Sequence, residues 1–297
     1  MPIRLETLFP VELERHLAVS PVLVLPFGTI EWHSHHLPVG LDGLVAQAMG
    51  EKMADAMNAV LAPVCYWAVG GVPFPFTLNL PLAEIETLLR TVLKQHAEMK
   101  FEVLVLFTGH FGLEQTLATK RAALQTMQTS DATILPLTTY DLITDFYSGD
   151  HAGIGETSLM MALRPDLVRL ADWPAGEKLP GVIGEDPRPS ANAELGYRIF
   201  DETASRAAAL VAGFRTGKLN RADWISTLHT VVEVLEATRA LRQKLPRNQV
   251  PAVTTSDYLT GWSAVANGRF AEAQENFRNK LAALDMVGGL GAGAKHG

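Results

Sequence analysis

The sequence predicts an α/β domain, three layers deep around a mainly parallel sheet, followed by a helical C-terminal extension. Three observations carry this. Short, almost wholly apolar runs such as VLVLPF and FEVLVLF are bounded by prolines, glycines or polar residues, as strands buried on both faces are. Amphipathic helical stretches alternate with them, which is the pattern of parallel strands joined by crossover helices. Beyond about residue 219 the strand pattern stops and only helical periodicity remains.

The elements follow in order. Residues 21–28, PVLVLPFG, form the first buried strand. Asp42 then opens an amphipathic helix, DGLVAQAMGEKMADAMNAVLA, and is placed to cap it. Residues 59–71 can supply a second strand, and 82–99 repeat their apolar residues at helical spacing. Residues 101–109 are the clearest buried strand, 112–127 are helix and 132–140 strand. A polar cluster, GDHAGIGETS over 149–158, precedes a helix running through LMMALRPDLV. A Pro/Gly-rich loop, 173–196, and a helix over about 193–214 close the main domain. The chain thus divides into a domain over 1–218 and an extension over 219–297. In the extension, GWSAVANGRFAEAQENFRNKL has the spacing of one helical-repeat hairpin. A single copy cannot form a solenoid, so it must pack on the main domain or on a neighbouring subunit. The glycine-rich tail GGLGAGAKHG is expected to be disordered.

Composition narrows the function. With 297 residues, 47% of them hydrophobic and 19% charged, the chain is of ordinary globular make-up and can bury a large core. A net charge of -7 argues against nucleic acid as a partner. No apolar run is long enough to span a bilayer, and the start, MPIRLETLFPVELER, lacks the apolar core of a signal peptide, so the expectation is a soluble cytoplasmic protein. Cys65 is the sole cysteine, which excludes an intrachain disulfide and a cysteine-based zinc knuckle. No G-x-S-x-G elbow is present, which disfavours a serine hydrolase.

The chemistry concentrates in PFGTIEWHSHHLPVGLD, residues 26–42, where His33, His35 and His36 fall within four positions. In an extended segment Glu31 and His33 point to the same side and can reach one point together. Asp42 lies eleven residues beyond Glu31, at a helix start, and His110 directly follows the strand over 101–107. Ligands of such sheets bind outside the carboxyl ends of the strands, so both stretches emerge at the same edge. Their oxygen and nitrogen donors suit zinc, manganese or iron(II), and an aspartate can bridge two ions as a two-metal hydrolytic site requires. The competing reading is a solvated loop that happens to be rich in histidine.

These residues resemble the signature of the creatininase (creatinine amidohydrolase) family, approximately P-x-G-S-x-E-Q-H-G-x-H-L-P-x-x-x-D. Pro26, Gly28, Thr29, Glu31, His33, His36, Leu37, Pro38 and Asp42 match it in register. The family's N-G-H-G-G-N is similar to residues 108–113, its H-A-G-E-x-E-T-S to residues 151–158, and its D-P-R to Asp186-Pro187-Arg188. The resemblance covers residues 1 to about 215. It implies a three-layer α/β fold, two divalent metals per chain (Zn2+, with Mn2+ or Fe2+ as alternatives), hydrolysis of a C–N bond in a small cyclic or linear amide, and a homo-oligomer, usually a hexamer. Carried over by position, Glu31, Asp42 and His110 would hold one metal, and Asp42 would bridge to a second held by His33. Creatinine-hydrolysing members complete that second site with a glutamate where this chain has Gly112, which leaves Glu156 as the candidate carboxylate and His36 as a spare donor or a support. His151 would give a proton to the leaving nitrogen.

Other departures bear on the substrate. Ser34 and His35 add polar groups at the mouth, and Ile154 removes one acid from the third motif. Where creatininases close tryptophans over the substrate, the run before His151 offers Phe146 and Tyr147, and Trp32 is a further pocket candidate. These differences turn the expectation away from creatinine itself. A ring-opening hydrolase of a keto-cyclitol or lactone, and a metal-binding assembly protein with little turnover, are the alternatives.

Overall fold

The structure, a computed structural model, describes residues 2–174 and 176–293, with side chains of the last helix as far as residue 289. Its centre is a five-stranded sheet of β1 (Ile3–Arg4), β2 (Val22–Phe27), β3 (Val60–Leu61), β4 (Val103–Thr108) and β5 (Thr133–Thr138). The strand order is β1-β3-β2-β4-β5, and every pairing is parallel. All residues of β2, β4 and β5 are buried, which is why these three read as unbroken apolar runs. The second strand is shorter than its sequence suggested. After Leu61 the chain meets Pro63 and turns off, keeping one bridge from Cys65 to Phe27. The two-residue β1 carries no periodicity from which it could have been expected.

The crossovers explain where the site falls. α2 (Leu41–Met57) links β2 to β3, α3 (Leu82–Glu98) links β3 to β4, and α4 (Leu113–Met127) links β4 to β5. Starting from adjacent central strands, the first and last of these run towards opposite edges of the sheet. Right-handed connections then put α2 and α4 on opposite faces. The packing agrees: α2 lies with α5 (Ile154–Leu163) and α6 (Ala193–Arg215), whereas α4 lies with α3 and α7 (Arg221–Lys244). Three layers result. Where connections part in opposite directions a crevice opens at the carboxyl ends, here between β2 and β4. The ladder aligns Phe27 with Thr108 and Thr108 with Thr138, so the three strands end level.

The start of α2 corrects one expectation. Gly40 occupies the cap position, and Asp42, in the first turn, makes no capping bond. Its carboxylate is turned into the crevice instead. α2 can come that close because two neighbours lack side chains: a Cβ on Gly28 would lie 2.2 Å from the Gly43 nitrogen, and one on Gly109 2.2 Å from the Asp42 carbonyl oxygen. A second correction concerns α5, which starts inside the polar cluster and stops at Leu163. Pro165 opens a short 3-10 turn there, so the helix does not run on through RPDLV.

The C-terminal region is helical, as expected, comprising α7, α8 (Ser256–Ala266) and α9 (Phe270–Gly293). It packs on the main domain: α7 lies along α4, and α8 and α9 form the anticipated hairpin beside α7. The buried Trp224 indole donates to the Ile134 carbonyl at 2.9 Å, tying α7 to β5. Tyr258, Trp262 and Phe277 form a buried aromatic cluster. The Lys120 ammonium stands 4.4 Å from the Trp262 ring centroid while bonded to Asp141 at 2.7 Å. The glycine-rich tail differs from expectation as far as it is described. Residues 288–293 continue α9, and 294–297 lie outside the described residues. Among the described residues no helix is long and apolar enough to cross a membrane.

Candidate metal centre

The loops leaving β2, β4 and β5 converge on the crevice. Glu31, His33, Asp42, His110 and Glu156 are all at most 4% exposed there, and His151 is partly buried beside them. His33 Nε2 lies 3.2 Å from Asp42 Oδ1 and 3.5 Å from Glu156 Oε2. His110 Nδ1 lies 2.7 Å from Glu31 Oε2 and 3.4 Å from Asp42 Oδ2. The donors therefore sort into two buried triads, Glu31–Asp42–His110 and His33–Asp42–Glu156, each with its ligand atoms within 4.8 Å of one another. Asp42 belongs to both. A third grouping, Glu31–His33–His151, places His151 against the same centre.

The state of these polar atoms tests whether cations fit. Both Asp42 oxygens, Glu31 Oε2 and His33 Nε2 are buried facing one another and His110, with no hydrogen-bond partner outside the centre. Unmade hydrogen bonds on buried ionisable groups cost stability unless something else answers them. His33 Nδ1 lies 3.1 Å from the Glu31 carbonyl, which can only accept, so Nδ1 carries a proton and Nε2 faces the centre, where a cation would take its lone pair in place of a second proton. That arrangement is the one metal-binding imidazoles adopt. The electrostatics agree. Burial lowers the proton affinity of His33, but the Asp42 and Glu156 carboxylates outweigh it and raise the pKa to about 10. His110 is likewise raised to about 10, burial being overcome by Asp42 and Glu31. For Asp42, burial is overcome by the two imidazoles, which hold it far below the usual carboxylate range. The residues fit divalent cations.

The surroundings hold these donors in place. Glu31 Oε1 accepts from the Val72 amide at 2.7 Å. Glu156 Oε2 accepts from the Ala152 amide at 2.6 Å, across a left-handed turn at Ala152. Asp150, not singled out in the sequence, accepts from the Gly155 and Glu156 amides at 2.6 and 3.2 Å, so it caps α5 and fixes the segment bearing His151 and Glu156. His36 joins none of the donor triads; its Nε2 bonds the Thr157 hydroxyl at 3.0 Å, and burial and then the His33 charge lower its pKa to about 4. His151 Nε2 lies 2.8 Å from the Trp32 carbonyl, so Nε2 keeps its hydrogen and Nδ1, 3.9 Å from Glu31 Oε1, faces the centre. Burial and the His33 charge lower its proton affinity.

The cavity over this centre is about 840 Å³. The aromatic residues expected over the substrate are placed elsewhere: Phe146 and Tyr147 do not line it, Phe146 lying under Arg198 and the Tyr147 hydroxyl bonding Asp150. Phe74, Phe111 and Tyr140 line it instead, and Trp32 stacks on Phe74 with centroids 5.5 Å apart. No motif marked Phe74, which arrives on the irregular segment following β3.

A parallel α/β sheet with two carboxylate–imidazole triads at its switch point defines an α/β protein equipped for divalent metals. The Creatininase family, described as creatinine amidohydrolase, matches residues 7–211. The chain belongs to the creatininase family and is a hydrolase of that family. It is 29% identical over 195 residues to the creatinine amidohydrolase of Pseudomonas putida, covering 55% of this chain and 74% of that one. It is 28% identical over 218 residues to the mycofactocin precursor peptide peptidase of Mycolicibacterium smegmatis, covering 64% and 84%. In structure it is similar to a crystal structure of creatinine amidohydrolase, with a TM-score of 0.61 at 24% identity over 72% of this chain and 98% of that chain. Solved creatininases include a manganese form and a zinc–zinc form.

Proposed function

We propose that this protein hydrolyses a C–N bond in a small amide, cyclic or linear, using two divalent cations held by Glu31, Asp42 and His110 and by His33, Asp42 and Glu156. The observation that carries the reading is the sharing of Asp42 between two buried triads whose facing atoms have no other partner. When bound, the cations supply an acidified water and polarisation of the scissile carbonyl. The chain's own groups do the rest. His151, neutral because burial lowers its proton affinity, presents Nδ1 to the centre, where it can take a proton from the attacking water and hand it to the leaving nitrogen. The Trp32 carbonyl fixes that tautomer. Asp150 holds the turn on which His151 and Glu156 stand. Phe74 and Phe111 give the substrate apolar walls and keep bulk water from the carbonyl.

The reading takes residues 1–218 as the catalytic domain and 219–297 as its extension. It also includes a cytoplasmic location, and a homohexamer supported by the family resemblance and by Trp67, Phe76 and Leu78, exposed apolar side chains on one loop. The cavity's size, with the 28% identity to a peptide peptidase, favours a second reading in which the amide lies in a larger, peptide-like substrate. Purified protein loaded with zinc or manganese, screened against cyclic amides, linear amides, short peptides, lactones and keto-cyclitols, separates these. Amide hydrolysis that a chelator abolishes and added metal restores is the expected result. Turnover confined to lactones or keto-cyclitols would contradict the C–N assignment.

A further inference from the structure

Part of the cavity lining is supplied by the extension, outside the residues matched to the family. α7 begins at Arg221, ten residues after that match ends at 211, and its last turns bring Arg239 and Arg242 to the cavity, with Arg247 just beyond. The three arginines are not equivalent. Arg239 Nε lies 2.8 and 2.9 Å from the two Glu114 oxygens, so its charge is already answered. The Arg242 and Arg247 side chains make no hydrogen bond or ion pair with any described residue, and the Arg242 Nε–H is buried without a partner. Lys280 adds a further positive charge behind them, its ammonium bonded to the Ala252 carbonyl and offset by Asp257. In a chain of net charge -7, two adjacent unpaired guanidinium groups facing one cavity are an exposed binding capacity rather than part of a balanced surface. Glu31 and Glu156 line the same cavity.

We propose that Arg242 and Arg247 form an anion subsite for the substrate's distal end, so that the preferred substrate is a small amide bearing a carboxylate or comparable anionic group. The inference rests on the amide-hydrolase reading and deepens it. A guanidinium whose donors are fixed at a cavity wall binds a carboxylate by charge-assisted hydrogen bonds, and the low dielectric of a partly closed cleft strengthens them. Anion capture there leaves the amide end of an extended substrate directed at the acidic, metal-binding end. Neutral amides of equal length lose that anchor.

The test uses the metal-loaded full chain with three ω-amido acids, succinamate, adipamate and suberamate, each paired with its neutral diamide. In the wild type at least one acid should exceed its diamide in kcat/KM by about tenfold or more, the size of one charge-assisted contact. In the Arg242→Gln/Arg247→Gln variant that ratio should fall towards one through a rise in the acid's KM, and Arg242→Lys should restore part of it. The ratio cancels any general loss of activity, and the exposed single variant Arg247→Gln serves if the double variant folds poorly. An acid-to-diamide ratio near one in the wild type, or one unchanged in the variants, overturns the inference even when amides are hydrolysed. If neither member of any pair is turned over, the amide-hydrolase reading fails by itself. Competition between adipamate and adipamide, read by thermal shift in wild type and variant, then decides the subsite alone.

Discussion

Glu156 and His151 stand five residues apart, share one capped turn, and should fail in different ways. As a ligand, Glu156→Gln should lower metal content from about two per chain towards one, with activity partly recovered in excess metal. Undiminished metal content would leave the carboxylate with only a helix-terminus role, worth under about 1 kcal/mol. His151→Ala should keep its metals and lose on the order of 10²–10⁴ in rate, the usual size of a proton-transfer contribution. Unchanged turnover would make His151 purely structural. The sequence made these candidates legible because fixed spacings behind buried strands bring Glu31, His33, Asp42 and His110 to one edge. It did not reveal Asp150. That carboxylate reaches amides five and six residues ahead, across the left-handed turn at Ala152, and no ordinary capping pattern has that spacing. Phe146 and Tyr147 misled for a related reason, since an aromatic pair beside a motif says nothing about which way the chain has turned.

At the level of elements, strands buried on both faces were readable as apolar runs, and the short β1 and β3 were not, having too few residues to show any period. α7 shows the other limit. Its helical period was plain, yet a charged helix face looks the same whether it meets water or lines a cavity, so Arg239 and Arg242 went unmarked. Trp224, fully buried and bonded to Ile134, helps to hold α7 in place, beside Arg221, which bonds the Met127, Ser130 and Ala132 carbonyls. Trp224→Ala should destabilise the protein by about 3–5 kcal/mol through cavity formation, as denaturant unfolding would measure. Losing α7's seat should also weaken the arginine wall. A stability change below about 1 kcal/mol would show that the extension is held elsewhere.

At the scale of the whole molecule, folding collects acid and base in one buried place and leaves them incompletely paired. In the metal-free protein His33 and His110 both have pKa values raised to about 10 by their carboxylate neighbours. Their contribution to stability is therefore complete below the ordinary histidine value of 6.5 and is lost as pH rises through about 10. Cations compete for the same lone pairs, so metal affinity should rise with pH over that window. Metal uptake near neutral pH should release about two protons per chain, measurable by calorimetry in buffers of different ionisation enthalpy. No proton release would mean that these imidazoles do not ligate. The most direct measurement is the metal content of freshly purified wild type and Asp42→Asn, by elemental analysis, alongside amide hydrolysis and circular dichroism. The expected result is about two metals per wild-type chain, with Asp42→Asn folded, inactive and largely stripped of metal. An Asp42→Asn variant that keeps both metals and full activity would contradict the bridged centre.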